Sequence, residues 1–247
     1  MDESATTTTG LAANELDTFG PGFMEISDRL GRYDTTHEDA RQAIELLGLA
    51  PGAEVLDAAC GFGRFAGALL ELGCAVVGID ISPAAIAEAR RRCPGPEYVV
   101  GDLTQPLALG PFDAIVNVFS SFGYGATVAD DAKVLAGWRR MLKPGAQLLM
   151  ELSDVERSRA RLGAAGEVVR RETNGVEEQL RVDPQTRVLH IRYTLGEHVL
   201  EVETRLYEAN DLVSMLMEAG FAEVRRFGGF DGRTKRPEDR LVLVARA

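Results

Sequence analysis

The stretch Val55-Leu56-Asp57-Ala58-Ala59-Cys60-Gly61-Phe62-Gly63-Arg64-Phe65-Ala66 constrains the fold more than any other part of this chain. It reads as a buried strand ending in an acid, then a glycine turn, then the start of a helix. Glycines at 61 and 63 let the backbone approach a ligand closely and take conformations that other residues avoid. The spacing Gly61-x-Gly63-x-x-Ala66 fits the pattern that cradles a dinucleotide pyrophosphate, so a nicotinamide-dependent oxidoreductase competes for this reading. Asp57 argues against it, because a carboxylate just before the glycines repels a pyrophosphate. The same carboxylate suits a ligand that carries an ammonium and a sulfonium.

Three further runs follow in order. Ala75-Val76-Val77-Gly78-Ile79-Asp80 is apolar and again ends in an acid, 23 positions beyond Asp57. That is close to the roughly 20-residue spacing at which an acid meets ribose hydroxyls. Ser82-Pro83 then signals a helix, with Ser as N-cap and Pro at the first helical position. The helix runs through Ala84 to Arg92 and stops at Cys93-Pro94-Gly95. The run from Glu97 to Leu103 contains Asp102, whose carboxylate can accept from an adenine amino group. A fourth run, Phe112 to Phe119, is followed by a helix and then by Leu142 to Met150. One acid at a strand end has a plain solvation role. Asp57, Asp80 and Asp102 close successive runs at the carboxyl ends, where doubly wound sheets bind ligands, and so point together to a nucleoside site.

Asp57-x-x-Cys60-Gly61-x-Gly63, with these runs behind it, resembles the first motif of the class I S-adenosylmethionine-dependent methyltransferases. In that family Phe-Asp opens the fourth strand and Lys-Pro-Gly precedes the fifth, as Phe112-Asp113 and Lys143-Pro144-Gly145 do here. The resemblance implies an α/β fold: a Rossmann-like seven-stranded sheet with helices on both faces. It implies S-adenosylmethionine as cofactor, bound by Asp57, Ala59, Gly61, Gly63, Asp80, Ile81, Asp102 and Leu103. An N-terminal lid is common in the family, and Tyr33 is the residue expected to touch the cofactor from it; core packing of Tyr33 stays open.

Phe119-Ser120-Ser121-Phe122-Gly123-Tyr124 resembles the same segment of the N,N-dimethylating amino-sugar methyltransferases of macrolide antibiotic pathways. This implies a small-molecule acceptor, methylated at an amine, in specialised metabolism. Tyr124 is expected to orient the acceptor or relay its proton, with Ser121 helping. Asn117 is expected to contact the methionine portion of the cofactor or to position the acceptor. An amine needs only to be neutral, whereas a hydroxyl needs a base, and no histidine base falls in the expected site. A second reading keeps S-adenosylmethionine as the substrate itself. Attack by its own amine on the γ-carbon closes a four-membered ring and releases methylthioadenosine.

Composition narrows the partners. The chain has 247 residues, 45% hydrophobic and 26% charged, enough for one large α/β domain. No apolar run approaches the roughly 20 residues of a membrane span. Residues 1–13 read as a disordered leader without the basic-then-apolar order of a signal peptide. Cys60, Cys74 and Cys93 lack paired metal spacing and suit a reducing cytoplasm. A net charge of −11 argues against a nucleic-acid substrate. From Phe221 onward seven Lys or Arg face four Asp or Glu, and the basic loop Arg233 to Arg236 is either solvated or a site for an acidic group. A homodimer is left open.

Residues 14–247 read as one domain, with a helical lid (14–50), a cofactor-binding core (51–152) and an antiparallel insertion on the substrate side (175–207). In the lid, breaks are expected around Gly20-Pro21-Gly22 and near Tyr33, and Thr36-x-x-Asp39 has capping-box spacing. In the insertion, Gly196-Glu197 suits a two-residue hairpin turn. That register sets Leu195, Tyr193, Ile191 and Leu189 opposite His198, Leu200, Val202 and Thr204. It pairs Arg192 with Glu201 and His190 with Glu203 on the other face. His190 is then half of a cross-strand pair, and neither His198 nor His37 has better claim to catalysis. A last helix, Glu208 to Ala219, leads to two closing strands at Phe221-Ala222-Glu223-Val224 and Leu241 to Ala245. Between them the loop Gly228 to Gly232 has the glycines to approach a ligand.

Overall fold

The computed structural model describes residues 19–247. The expected leader and the first residues of the lid lie outside them. Strand β1 (Glu54–Ala58) is central to a seven-stranded sheet, flanked by β2 (Ala75–Asp80) and β4 (Phe112–Asn117), both parallel to it. Outside them lie β3 (Glu97–Val100) and β5 (Leu142–Leu152), also parallel. β11 (Leu241–Arg246) runs antiparallel to β5, and β10 (Glu223–Phe227) antiparallel to β11. The order is β10-β11-β5-β4-β1-β2-β3.

These strands read as continuous apolar runs because both faces of the sheet are covered. Val55 faces one layer, with α2 (Thr36–Leu47), α3 (Arg64–Glu71) and α4 (Pro83–Arg92). Leu56 faces the other, with α5 (Val128–Met141) and α7 (Ala209–Glu218) around the buried Trp138. The Ser82 cap forms as expected, accepting the Ala85 N–H at 3.1 Å.

A second, antiparallel sheet stands over the carboxyl ends of the first. Its strands β6 (Val169–Thr173), β7 (Val176–Val182), β8 (Val188–Leu195) and β9 (His198–Arg205) pair in that order. The β8–β9 register is the expected one at every position, and Gly196 turns it with φ +59°. His190 meets Glu203 and Arg192 meets Glu201, each at 2.8 Å. The apolar face carries Val176, Tyr193 and Val202 against Ile26 and Phe23 of α1 (Pro21–Arg29). The lid is therefore docked on the insertion.

Three boundaries differ from expectation. The insertion opens at Val169 rather than Gly175, after an unforeseen helix α6 (Val155–Leu162). At the expected break, Gly20 is the N-cap of α1 and Pro21 its first residue, and the chain before Phe19 lies outside the described residues. Thr36 is the first residue of α2, so no capping box forms; Thr35 donates instead to Asp39 Oδ2 at 2.7 Å. β10 starts at Glu223 because Phe221 turns into the core, where it is 2% exposed. No helix of the described residues is long and apolar enough to cross a membrane.

Candidate active site

After β1 the chain passes through three left-handed residues, Ala59 (φ 63°), Gly61 (φ 54°) and Gly63 (φ 74°). The two glycines have different reasons. A Cβ at Gly61 would meet no protein atom within 4 Å, so the backbone there is open to a cavity. A Cβ at Gly63 would press on the Tyr98 ring, with Cζ at 2.8 Å. Gly63 does not line the cavity; it lets β3 pack beneath the turn.

The three acids reach one cavity. Asp80 holds the turn in place, accepting the Gly61 N–H on Oδ2 and the Ser82 N–H on Oδ1, both at 2.9 Å. Asp102 accepts the Thr104 N–H (2.8 Å) and hydroxyl (2.7 Å) on Oδ1. Its Oδ2 has no partner among the described residues. Asp57 is 1% exposed, and its Oδ2 makes no hydrogen bond. Burial raises its carboxyl to about 7 against the pull of Arg64. A buried, unpartnered carboxylate oxygen is costly unless it takes a proton or meets a donor or cation. Ala59, Ile81 and Leu103 complete this part of the wall.

Tyr33 enters from the loop between α1 and α2, and the Arg64 guanidinium lies 4.5 Å from its ring centroid. Burial raises the Tyr33 phenol, with the nearby Arg64 guanidinium opposing the rise. Arg64 also lies over the Phe119 ring, 3.2 Å from its centroid, and donates to Thr36 Oγ1 at 2.6 Å. Burial lowers Arg64 to about 10, and no carboxylate of the described residues pairs with it. The sequence did carry a signal for Arg64: a cation in the first turn of a helix opposes the helix dipole.

Beyond β4, Phe119 (φ 62°) and Ser120 (φ 61°) are both left-handed without being glycine. Such strain persists only where the surroundings enforce it. Glu151 does so, accepting the Phe119 N–H on its carboxylate at 2.7 Å and the Ser120 N–H on its carbonyl at 3.0 Å. Arg240 pairs with Glu151 and donates to Ser120 Oγ at 2.8 Å. Neither Glu151 nor Arg240 was foreseen, since they come from the ends of β5 and the start of β11.

The bent segment carries Tyr124 into the cavity, edge-on to Phe19 at 5.5 Å between ring centroids. Burial pushes its phenol up. Ser121 also lines the cavity, but its hydroxyl donates to the Val118 carbonyl at 2.8 Å, so its one proton is already engaged. Asn117 is fully buried and off the cavity wall, contrary to its expected ligand contact. Its amide clamps the Ala58 carbonyl (2.9 Å) to the Ser121 carbonyl (3.0 Å). The Gly228–Gly232 loop also turns away from the cavity: Phe230 packs on Phe65 with centroids 6.2 Å apart. In the basic loop after it, Arg233 pairs with Asp231 and Asp239 of the same segment, and Lys235 pairs with Asp154 and Glu156 at the start of α6. No group of three metal-ligating side chains occurs among the described residues.

The cavity measures about 1720 Å³, beyond the roughly 300–1,000 Å³ of a single small-molecule site. It runs from the three acids, under the lid, to the inner face of the second sheet.

Residues 55–145 match a family model described as a methyltransferase domain. A demethylmenaquinone methyltransferase of Beutenbergia cavernae is 34% identical over 135 residues, 51% of this chain and 55% of that protein. The chain thus spans about half the length of the curated relatives it matches. Among solved structures, an S-adenosylmethionine-dependent methyltransferase from Clostridium acetobutylicum superposes with TM-score 0.75 at 17% identity, covering 91% of this chain and 97% of the other. CalS10, an amino pentose methyltransferase solved with S-adenosylmethionine from Micromonospora echinaspora, gives TM-score 0.67 at 22% identity, covering 92% and 97%. At these identities the superpositions establish a shared fold.

Proposed function

We propose that this chain, whose residues 55–145 match a methyltransferase-domain model, is an S-adenosylmethionine-dependent enzyme that methylates an amine of a small molecule in specialised metabolism. The observation that carries the reading is the buried Asp57 carboxylate with an unpartnered oxygen, in one cavity with Asp80 and Asp102. The cofactor, when bound, supplies an already activated methyl group. Asp57 would pair with its ammonium, and Asp80, with a lone pair left on each oxygen, would accept from the ribose hydroxyls. Asp102 Oδ2 would accept from the adenine amino group. Arg64, a buried cation without a protein anion among the described residues, would hold the cofactor carboxylate beside Tyr33.

Holding two reactants in line is the main catalytic demand, and proximity can supply about 7–11 kcal/mol. Tyr124 orients the acceptor. Ser121 can act there only as a hydrogen-bond acceptor, its proton being held by Val118. The lid and second sheet exclude water from the reacting groups. A cavity larger than one ligand favours a separate acceptor over cyclisation of the cofactor on itself.

Calorimetric titration with S-adenosylhomocysteine, repeated in the presence of NADH, tests the cofactor assignment. Binding that NADH does not weaken is expected. NADH binding in its place would return the glycine turn to a nicotinamide enzyme.

A further inference from the structure

A group of cations on the cavity wall has no part in the roles above. Arg157 and Arg161 lie one turn apart on α6, Arg171 comes from β6, and all three line the cavity. The neighbouring acids are engaged elsewhere. Asp154 pairs with Lys235 at 3.2 Å. Asp239 pairs with Arg233 at 3.1 Å. Glu178, opposite Arg171 in the strand register, pairs with Arg32 at 3.3 Å. None of the three cavity arginines has an ion-pair partner among the described residues.

Neutral acceptors hold the guanidinium groups in place without cancelling their charge. Arg171 donates to the Arg161 carbonyl at 3.0 Å, and Arg157 donates to Ser153 Oγ at 2.8 Å. Arg157 Nε is buried with no hydrogen-bond partner. Burial lowers Arg157 to about 10; repulsion from Arg161 and Arg171 acts in the same direction, and attraction to Asp154 and Asp239 opposes it. Solvation accounts for Arg161, which is exposed. It does not account for a stranded N–H on a half-buried guanidinium, a group that normally finds a partner.

Guanidinium forks match the planar oxygens of carboxylate and phosphate. We propose that Arg157, Arg161 and Arg171 form an oxyanion subsite that holds a phosphate or carboxylate group of the acceptor. The acceptor is then an acid, anchored between α6 and β6 while its amine reaches the Tyr124 side of the same cavity. This rests on the methyltransferase reading for the identity of the anion's carrier, though not for the anion site itself.

The test is calorimetric titration of the purified protein with inorganic pyrophosphate and, separately, with malonate. Each is run with and without saturating S-adenosylhomocysteine, on the wild type, Arg161→Gln and Arg171→Gln. Binding of at least one anion is expected, weakened about tenfold in each variant, as for loss of one charge-assisted hydrogen bond. Raising the salt should weaken it further. Tighter pyrophosphate binding assigns a phosphate source, and tighter malonate binding a carboxylate source. No binding of either anion, or equal binding to variants that melt like the wild type, overturns the subsite. Loss of S-adenosylhomocysteine binding alone would count against the methyltransferase reading and leave the anion result standing.

Discussion

Burial at the end of β1 raises the Asp57 carboxyl from 3.8 to about 7, so near neutral pH it is divided between two charge states. A carboxyl raised on folding binds more protons in the folded than in the unfolded chain between about pH 4 and 7. Its contribution to stability is therefore complete at the acid end of that window and lost as pH rises through about 7. For the protein without ligand, Asp57→Asn should flatten this fall in thermal melts at a series of pH values. A cationic ligand needs the ionised form, so S-adenosylmethionine affinity should move the other way and rise up to about tenfold per pH unit below 7. Asp80→Ala should weaken that affinity at least about tenfold while also freeing the Gly61 and Ser82 N–H groups, at about 1–3 kcal/mol of stability. An unchanged dissociation constant would remove Asp80 from the cofactor site. Tyr124→Phe should lower turnover more than cofactor affinity, and equal loss in both would place Tyr124 against the cofactor instead.

Among the elements, the connection from β4 into α5 depends on one buried acid. Asp131 accepts the Tyr207 hydroxyl at 2.5 Å, the Arg205 guanidinium at 2.9 Å and the Gly125 N–H at 2.9 Å. It ties the loop behind Tyr124 to the end of the second sheet. Asp131→Ala strands the partly buried Arg205 and should cost about 3 kcal/mol, measurable by urea unfolding; a loss below about 1 kcal/mol would mean that the loop holds itself. The β8–β9 hairpin was legible down to its register because period-2 alternation and a glycine turn leave one register that buries the apolar face. Helix α6 and strand β6 were not legible. Val155–Leu162 contains three arginines and little apolar surface, and Val169–Thr173 is a polar edge strand, so neither carries the periodicity that marks a buried face.

Across the whole molecule, the cavity joins three parts of the chain: the carboxyl ends of the parallel strands, the lid and the inserted sheet. The acids of the first part were legible because each closes its own strand within a short motif. Arg64 was visible but unused in the motif. Glu151, Arg240 and the arginines of α6 and β6 come to the cavity or its wall only through contacts between distant segments, which local patterning does not encode. Asn117 misled for the opposite reason: its position at a strand end was right, yet its amide turned inward to hold the backbone. The size of the cavity bears on the proposed function, since room beyond one ligand favours methyl transfer to an acceptor over chemistry of the cofactor on itself. The decisive measurement is incubation of the purified protein with S-adenosylmethionine alone, followed by mass spectrometry. The account predicts bound, intact S-adenosylmethionine, with no product above the spontaneous rate. Methylthioadenosine formed faster than that rate would contradict it and make the cofactor the substrate.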